Sequence, residues 1–488
     1  MKLLKDILYK VSLESVQGTT AVPINAIQFD SRKVKDNDVF VAIKGEILNG
    51  HNYIEKAIDQ GAKTIICEEL PEQTIEQVTY IKVKDSQQSL AFLASNYYDT
   101  PSENLKLVGV TGTNGKTTIA SLLYQLFKKA GFKVGLLSTV KIVVDTQEFP
   151  ATHTTPDSLT INRYLSEMNQ AGVEFCFMEV SSHGIAQKRV EGLHFAGGVF
   201  TNLSHDHLDY HKSFKEYRDV KKQFFDGLPK TAFALTNADD KNGDFMLQNC
   251  KARKYAYALK TYANYRGRIL ENSLSGLLLN INDREVWTKL IGDFNGYNLL
   301  AIYGVADQLG LETMENLQLI SELNSVSGRF QYLISDYQKI TAIVDYAHTP
   351  DALKNVLATI NSIRTNNETL ITVVGCGGDR DIEKRPVMGN IAASLSNKVI
   401  FTSDNPRTED PVAILEQIEN GVSPNDYKKV VTITDRKQAI KTACQMAEKE
   451  DIILVAGKGH ETYQETNGER IDFDDFKIVK EVLNTMGK

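Results

Sequence analysis

The stretch Leu107-Val108-Gly109-Val110-Thr111-Gly112-Thr113-Asn114-Gly115-Lys116-Thr117-Thr118 decides the fold. The apolar run Leu105–Val110 reads as a buried strand and a glycine-bearing turn follows it. Beyond the turn, Ile119, Leu122, Leu123, Leu126, Phe127 and Ala130 recur at helical spacing. Strand, glycine loop, Lys-Thr and helix together read as a phosphate-binding loop. Backbone N–H groups and the helix N-terminus wrap polyphosphate, Lys116 neutralises it, and the Thr117 hydroxyl reaches Mg²⁺. The usual first glycine of such a loop falls on Val110, and an ordinary tight turn is the competing reading. The expectation is a nucleoside triphosphate site built from Gly112, Thr113, Asn114, Gly115, Lys116, Thr117 and Thr118.

Bulk numbers set the class. A chain of 488 residues has the length of about three domains. A hydrophobic fraction of 42% with 24% charged residues is that of an ordinary globular protein. The net charge of −7 and the lack of a basic stripe argue against a nucleic-acid surface. No run of about 18 apolar residues is present, so no membrane span is expected. Met1 to Lys10 has a weak Leu/Ile pattern broken by Lys5 and Asp6, which is not the pattern of a signal segment. The cysteines Cys67, Cys176, Cys250, Cys376 and Cys444 are scattered, lack metal spacing and read as reduced core thiols, so a cytoplasmic compartment is expected.

Three α/β blocks follow along the chain. In the first, runs at Val39–Ile43, Thr64–Cys67 and Tyr80–Val83 alternate with helical stretches such as Tyr53–Gln60, and the polar Asp99–Glu103 closes it. The second holds the glycine loop and strand candidates at Val134–Leu137, Phe175–Val180 and Gly198–Thr201. Ser327-Gly328-Arg329-Phe330 reads as a hinge. Beyond it Ala342–Val344, Leu370–Val374, Val399–Thr402, Val430–Ile433 and Ile452–Val455 alternate with helices, the pattern of a parallel sheet. The domains expected are 1–100, 101–328 and 329–488.

Several strands of the third block end in polar loops: Asp345–His348, Gly375–Asp381, Asp404–Arg407 and Gly457–Glu461. Loops after the strand C-termini of an open parallel sheet line one ligand-binding edge. Arg380 and Arg407 would bring bidentate carboxylate recognition there, and Glu461 would suit an amine. Solvated turns are the alternative for each loop taken alone. In the middle block Glu179 ends an apolar run, a poor place for an unpartnered carboxylate. His205-Asp206-His207-Leu208-Asp209-Tyr210-His211 then packs three histidines and two aspartates together. A zinc site, oxygen ligation of Mg²⁺ and a solvated loop all fit that cluster.

Gly109–Thr117, Glu179-Val-Ser-Ser-His183, Asp206–His211, Gly292-Asp-Phe-Asn-Gly-Tyr-Asn298, Ser327–Phe330, Asp345–His348 and Asp404–Arg407, in this order, resemble the Mur ligases of peptidoglycan synthesis. The resemblance spans nearly the whole chain and is greatest to the MurE type, which adds the third residue of the stem peptide. It implies an N-terminal domain for the UDP end of the substrate, a central P-loop ATPase and a C-terminal Rossmann-like domain. It also implies an ATP-dependent amide ligation through an acyl phosphate. Lys116, Thr117 and Glu179 would serve ATP and one Mg²⁺, and His207 a second. A carbamylated lysine would fall at Lys221, with Lys222 competing.

Asn295, Asn298, Arg329 and Asp345 would contact the nucleotide, although a helix-start role competes at Asn298. Ser31 would hold the uridine diphosphate. Thr154, Thr155, Ser181, Gln187 and Arg189 would hold the muramoyl-peptide, where His153 replaces the family's frequent Asn. Arg380, Asp404, Asn405, Pro406, Arg407, Gly457 and Glu461 match contacts to meso-2,6-diaminopimelate, so that amino acid and UDP-N-acetylmuramoyl-L-alanyl-D-glutamate are the expected substrates of a monomeric enzyme. An L-lysine-adding relative, folylpolyglutamate synthase and a nucleotide-dependent binding protein without ligase activity are the rival readings.

Overall fold

The computed structural model describes residues 2–45, 48–204, 210–211 and 213–488. The chain divides into two compact units, residues 1–257 with 304–309 and residues 258–303 with 310–488.

In the first unit, a five-stranded sheet is ordered Leu13–Gln17, Thr79–Val83, Thr64–Cys67, Val39–Val41, Ile27–Gln28, and only the first pairing is antiparallel. Thr64–Cys67 reads as an unbroken apolar run because both its faces are covered: Ile65 and Ile66 belong to separate clusters on opposite sides. The second sheet of this unit is built around Lys106–Thr111. That strand lies between Phe175–Glu179 and Phe195–Phe200, all parallel. Val134–Leu137 continues the sheet on one side, and Phe233–Asn237 with Arg253–Ala258 on the other. An antiparallel pair, Lys141–Val144 with Gln147–Pro150, closes one edge; it carries no apolar run in its second strand, and the sequence reading missed it.

The helix Lys116–Lys129 buries Ile119, Leu122, Leu123, Leu126 and Phe127, the face its periodicity predicts. The Phe127 ring meets those of Phe175 and Phe177 on the neighbouring strand. Gly109 has a different use: a Cβ there would stand 2.6 Å from the Phe224 ring. Its absence lets the helix Phe214–Asp226 lie close over the central strand, which brings Lys221 towards the glycine loop.

The second unit holds an antiparallel meander, Tyr265–Ser273, Gly276–Ile281 and Arg284–Thr288, and a six-stranded sheet. The sheet order is Gln331–Ile334, Thr341–Asp345, Ile452–Ala456, Leu370–Val374, Lys398–Phe401, Val430–Thr432, and all pairings but the first are parallel. The last parallel strand in the chain therefore sits between the first and second. This order brings the loops after Asp345, Val374, Phe401 and Ala456 to one edge. Helices cover both faces of the sheet in two apolar clusters.

Candidate functional site

The glycine loop has the backbone its sequence demands. Gly112 and Gly115 take φ values of +147° and +89°, which an L side chain rarely adopts. A Cβ on Gly112 would also stand 1.8 Å from the Thr201 hydroxyl. Val110 is a buried strand residue paired with Glu179 and Val199. The turn begins two residues after it, so no glycine is needed at 110. The loop after the next strand braces the turn: Thr113 N donates to Asn202 O (2.8 Å), Asn114 N to Asn202 Oδ1 (3.0 Å) and the Thr201 hydroxyl to Asn114 O (2.6 Å). Lys116 Nζ donates back to the carbonyls of Gly112 (2.9 Å) and Thr113 (2.7 Å).

Glu179 is fully buried, and its two oxygens are divided. Oε2 accepts from the Thr117 hydroxyl (2.9 Å) and Oε1 from Thr139 N (2.7 Å). The two oxygens Thr117 Oγ1 and Glu179 Oε2 thus stand together beside the loop, a hard donor pair of the kind Mg²⁺ prefers. Lys221 is buried too; its Nζ donates to Gly112 O (3.0 Å) and lies 4.7 Å from the centre of the Tyr217 ring. Tyr217 in turn shares a 3.1 Å hydrogen bond with Thr113 Oγ1. Lys222 is clamped elsewhere, by both carboxylate oxygens of Asp226 at 2.6 and 2.7 Å. His205, Asp206, His207, Leu208 and Asp209 lie outside the described residues, and with them the second-metal assignment to His207.

A polar cluster joins this edge through Glu179. Its carbonyl accepts from Thr155 Oγ1 (2.9 Å), which accepts from Ser181 N (2.9 Å). Ser181 caps the helix Ser182–Ala186. Arg189 donates to Thr155 O (2.6 Å) and through Nε and Nη2 to Gln187 Oε1 (3.0 and 2.6 Å). The Thr154 hydroxyl bonds that of Thr139 at 3.1 Å. Five of the sequence-predicted substrate contacts are therefore assembled in one network. Burial first, and then the charge of Arg189, holds His153 below the usual imidazole range. Ser31 opens a short 3₁₀ turn in the first sheet's half of the unit, capped by Asp30, and is not part of this network. Asp30 falls to about 2 through its hydrogen bonds with Arg32.

Within the second unit, Asn295 and Asn298 lie inside the helix Asp293–Gln308. Asn298 is therefore no helix-start residue; its Nδ2 donates to Asn295 Oδ1 (3.0 Å), while Asn295 Nδ2 donates to Ile291 O (2.8 Å). Asp345 Oδ2 accepts from Phe330 N (2.6 Å), and Arg329 stacks 4.7 Å from the centre of the Tyr346 ring. Burial pushes Asp345 up to about 6, opposed by the charge of Arg329 and two backbone donors.

The four loops at the sheet edge interlock. Arg407 Nη1 donates to Gly378 O (2.7 Å), and Gly378 N to Asn405 O (2.9 Å). Asn405 Nδ2 donates to Glu461 Oε2 (2.8 Å), and a Cβ on Gly457 would meet Asp404 Oδ2 at 2.6 Å. Asp404, Asn405 and Pro406 are buried, and Arg380 points into solvent. Beneath the loops, Arg436 and Asp475 form a fully buried bidentate pair (2.8 and 2.7 Å), and Arg436 also donates to Ala456 O (3.0 Å) at the root of the Gly457 loop. Arg385, also buried, grips Glu409 with two nitrogens at 2.8 Å and draws its carboxyl down to about 2. The sequence reading passed over Thr139, Thr201, Asn202 and Arg436, single polar residues whose roles arise only when distant strands meet.

The chain is similar to known proteins along nearly its whole length. Residues 23–98 match the Mur ligase family catalytic domain, 110–306 the Mur ligase middle domain and 328–459 the Mur ligase glutamate ligase domain. The UDP-N-acetylmuramoyl-L-alanyl-D-glutamate–2,6-diaminopimelate ligase of Cytophaga hutchinsonii is 54% identical over 99% of this chain and 100% of its own length. The protein of the same name from Phocaeicola vulgatus is 52% identical over 98% and 99%. A solved structure of a ligase of that name superposes with a TM-score of 0.71 at 31% identity, covering 100% of this chain and 99% of that one. A phosphate loop, a buried glutamate beside its threonine, a separate interlocked loop cluster and three matched domains in this order have one explanation: the chain belongs to the Mur ligase family, whose members are ATP-dependent ligases.

Proposed function

We propose that this chain joins meso-2,6-diaminopimelate to the D-glutamate carboxylate of UDP-N-acetylmuramoyl-L-alanyl-D-glutamate. A carboxylate oxygen of the substrate attacks the γ-phosphorus of ATP and ADP leaves. The amine of the amino acid then attacks the acyl carbon, loses its proton, and phosphate departs as the amide forms. Lys116 and the amides of Gly112–Thr118 hold the phosphates. Thr117 and Glu179 hold Mg²⁺, which when bound neutralises charge between phosphate and carboxylate. The Thr155–Ser181–Gln187–Arg189 network, with Thr154, orients the muramoyl-peptide, and Ser31 meets the uridine diphosphate. Asn295, Asn298, Arg329 and Asp345 serve the nucleotide, Asp345 through ribose hydroxyls.

The interlock of Arg407 with Gly378 and of Asn405 with Glu461 carries the choice of amino acid. It sets a guanidinium and a carboxylate in one loop cluster, complementary to the carboxylate and ammonium of a zwitterion. L-lysine lacks the distal carboxylate and would leave the guanidinium without its partner. Lys221 is the candidate for carbamylation because its ammonium faces the glycine loop, whereas Lys222 is committed to Asp226. A mass gain of one CO₂ on the native protein, absent in Lys221→Met, tests that modification. The reading carries with it a monomeric cytoplasmic enzyme with domains 1–100, 101–328 and 329–488.

Phosphate release is the deciding assay. It is expected to require ATP, Mg²⁺, the UDP-muramoyl-dipeptide and diaminopimelate together, and to fail after chelation. Arg407→Ala is expected to lower kcat/KM for diaminopimelate by about 30-fold or more, the cost of losing one side of a hydrogen-bonded charge pair. The same variant should leave the slow rate with L-lysine unchanged. Equal wild-type rates with the two amino acids would overturn the assignment.

A further inference from the structure

We propose that Lys458 is a positioning residue of the amino-acid pocket: it fixes Glu461 and Asn405 so that one oxygen of Glu461 is kept for the ammonium group of the incoming amino acid. The inference rests on the diaminopimelate reading and assigns work to a residue that reading leaves unused.

The Lys458 side chain is fully buried. Its Nζ donates to Asn405 Oδ1 at 2.9 Å and to Glu461 Oε2 at 3.1 Å. Asn405 Nδ2 donates to the same Oε2 at 2.8 Å, and Asn405 Oδ1 also accepts from Glu465 N at 2.9 Å. Lys458, Asn405 and Glu461 thus form a closed triangle, anchored to the backbone at one corner. Glu461 Oε2 takes two donors, while among the described residues no donor is held to Oε1. A carboxylate fastened by one oxygen has a fixed plane, and its second oxygen has a fixed direction.

The local backbone is shaped to turn this lysine inward. Gly457 and Gly459 flank it at φ +116° and +56°, and Glu461 N closes the turn on Lys458 O at 3.0 Å. A Cβ on Gly459 would fall 2.7 Å from Tyr346 Cβ, so the loop has no slack to place the chain otherwise. Tyr463 adds a ring 5.4 Å from Nζ. Burying an ammonium is costly unless it is paired. A leucine would fill the same volume without that cost. Both side-chain acceptors of this ammonium belong to the pocket, and none belongs to the apolar clusters beneath it. Packing alone therefore does not account for a lysine at 458, whereas fixing the carboxylate does.

Steady-state kinetics of Lys458→Met test the assignment, with thermal melting as the check on folding. KM for diaminopimelate is expected to rise about tenfold or more, the loss of a charge-assisted hydrogen bond. kcat and the KM values for ATP and the UDP-substrate should stay within about twofold, since those contacts are made by other residues. In a Glu461→Gln background the same change should add less than about twofold, because coupled residues are non-additive. If Lys458→Met does not melt cooperatively, Lys458→Gln takes its place with the same readouts. An unchanged KM for diaminopimelate, a parallel fall in kcat with a rise in every KM, or full additivity with Glu461→Gln would each overturn the positioning role. Wild-type enzyme that releases no phosphate in response to diaminopimelate would instead overturn the substrate reading, and the role of Lys458 with it.

Discussion

The phosphate loop of the first unit and the four-loop cluster of the second both form at the C-terminal ends of parallel strands, yet they hold their cations differently. Lys116 and Lys221 donate to the carbonyls of the glycine loop itself, Gly112 accepting from both. Backbone carbonyls are neutral acceptors, and a phosphate oxygen outcompetes them. Lys458, Arg385 and Arg436 are instead committed to carboxylates at 3.1 Å or less. Carbonyls of the loop thus take part in holding the cations of the first region, and carboxylates in holding those of the second. Cleaving ATP needs charge that follows the phosphate, whereas choosing between similar amino acids needs groups that do not move.

If the cations of the glycine loop serve the phosphates, removing one should damage turnover and leave the fold intact. Lys116→Ala is expected to lower phosphate release by about 10²–10³-fold with an unchanged melting temperature, measured on the same preparation. A loss below tenfold, or a large fall in melting temperature, would break the contrast. The second region should behave in the opposite way. Arg436→Met leaves Asp475 buried without its partner and is expected to cost about 3–5 kcal/mol in urea unfolding. Adding Asp475→Leu should recover most of that loss. A single substitution that is no worse than the double would show that the pair is not what anchors the Gly457 loop.

The same contrast explains what was legible in the sequence. The phosphate loop is local: strand, turn and helix lie within one run from Leu105 to Ala130, and the glycines mark the two positive φ angles directly. Apolar runs also located Val134–Leu137, Thr64–Cys67 and Leu370–Val374 to the residue, because strands buried on both faces show no alternation. The hairpin Tyr463–Thr466 with Glu469–Asp472 left little trace, since its second strand is exposed at every position. The loop cluster of the second unit was visible as four polar loops along one sheet edge, but not the hydrogen bonds that interlock them. Its order depends on Ile452–Ala456 pairing between Thr341–Asp345 and Leu370–Val374, a crossover of more than seventy residues that no local pattern encodes. Lys458 lies within the polar loop Gly457–Glu461 and has no role legible in sequence, because only the folded loop turns it towards Asn405 and Glu461.

Two carboxylates of the second unit give the smallest and most specific test of the contrast. Glu409 lies at about 2 because Arg385 grips it. Its contribution to stability is present above the ordinary carboxylate range and is lost only as pH falls towards 2. Asp345 is shifted the other way, from 3.8 to about 6, chiefly by burial. Between those two values the folded protein binds more protons at Asp345 than the unfolded chain does. Stability contributed by the protonated form is therefore complete below pH 3.8 and is lost as pH rises through about 6. Asn at 345 keeps an oxygen for Phe330 N and carries no charge, so Asp345→Asn should gain on wild type as pH rises from 4 to 7. The expected difference is about 1–2 kcal/mol at neutral pH, discounted from the full shift for partial exposure to solvent. Glu409→Gln should instead lose stability across that whole range, because its main partner is the Arg385 cation, with Asp379 N as a second donor. Parallel pH profiles for the two variants would mean that one environment governs both carboxylates. Diverging profiles would separate a carboxylate locked to a neighbour from one held, at a standing cost, at the ligand edge of the sheet.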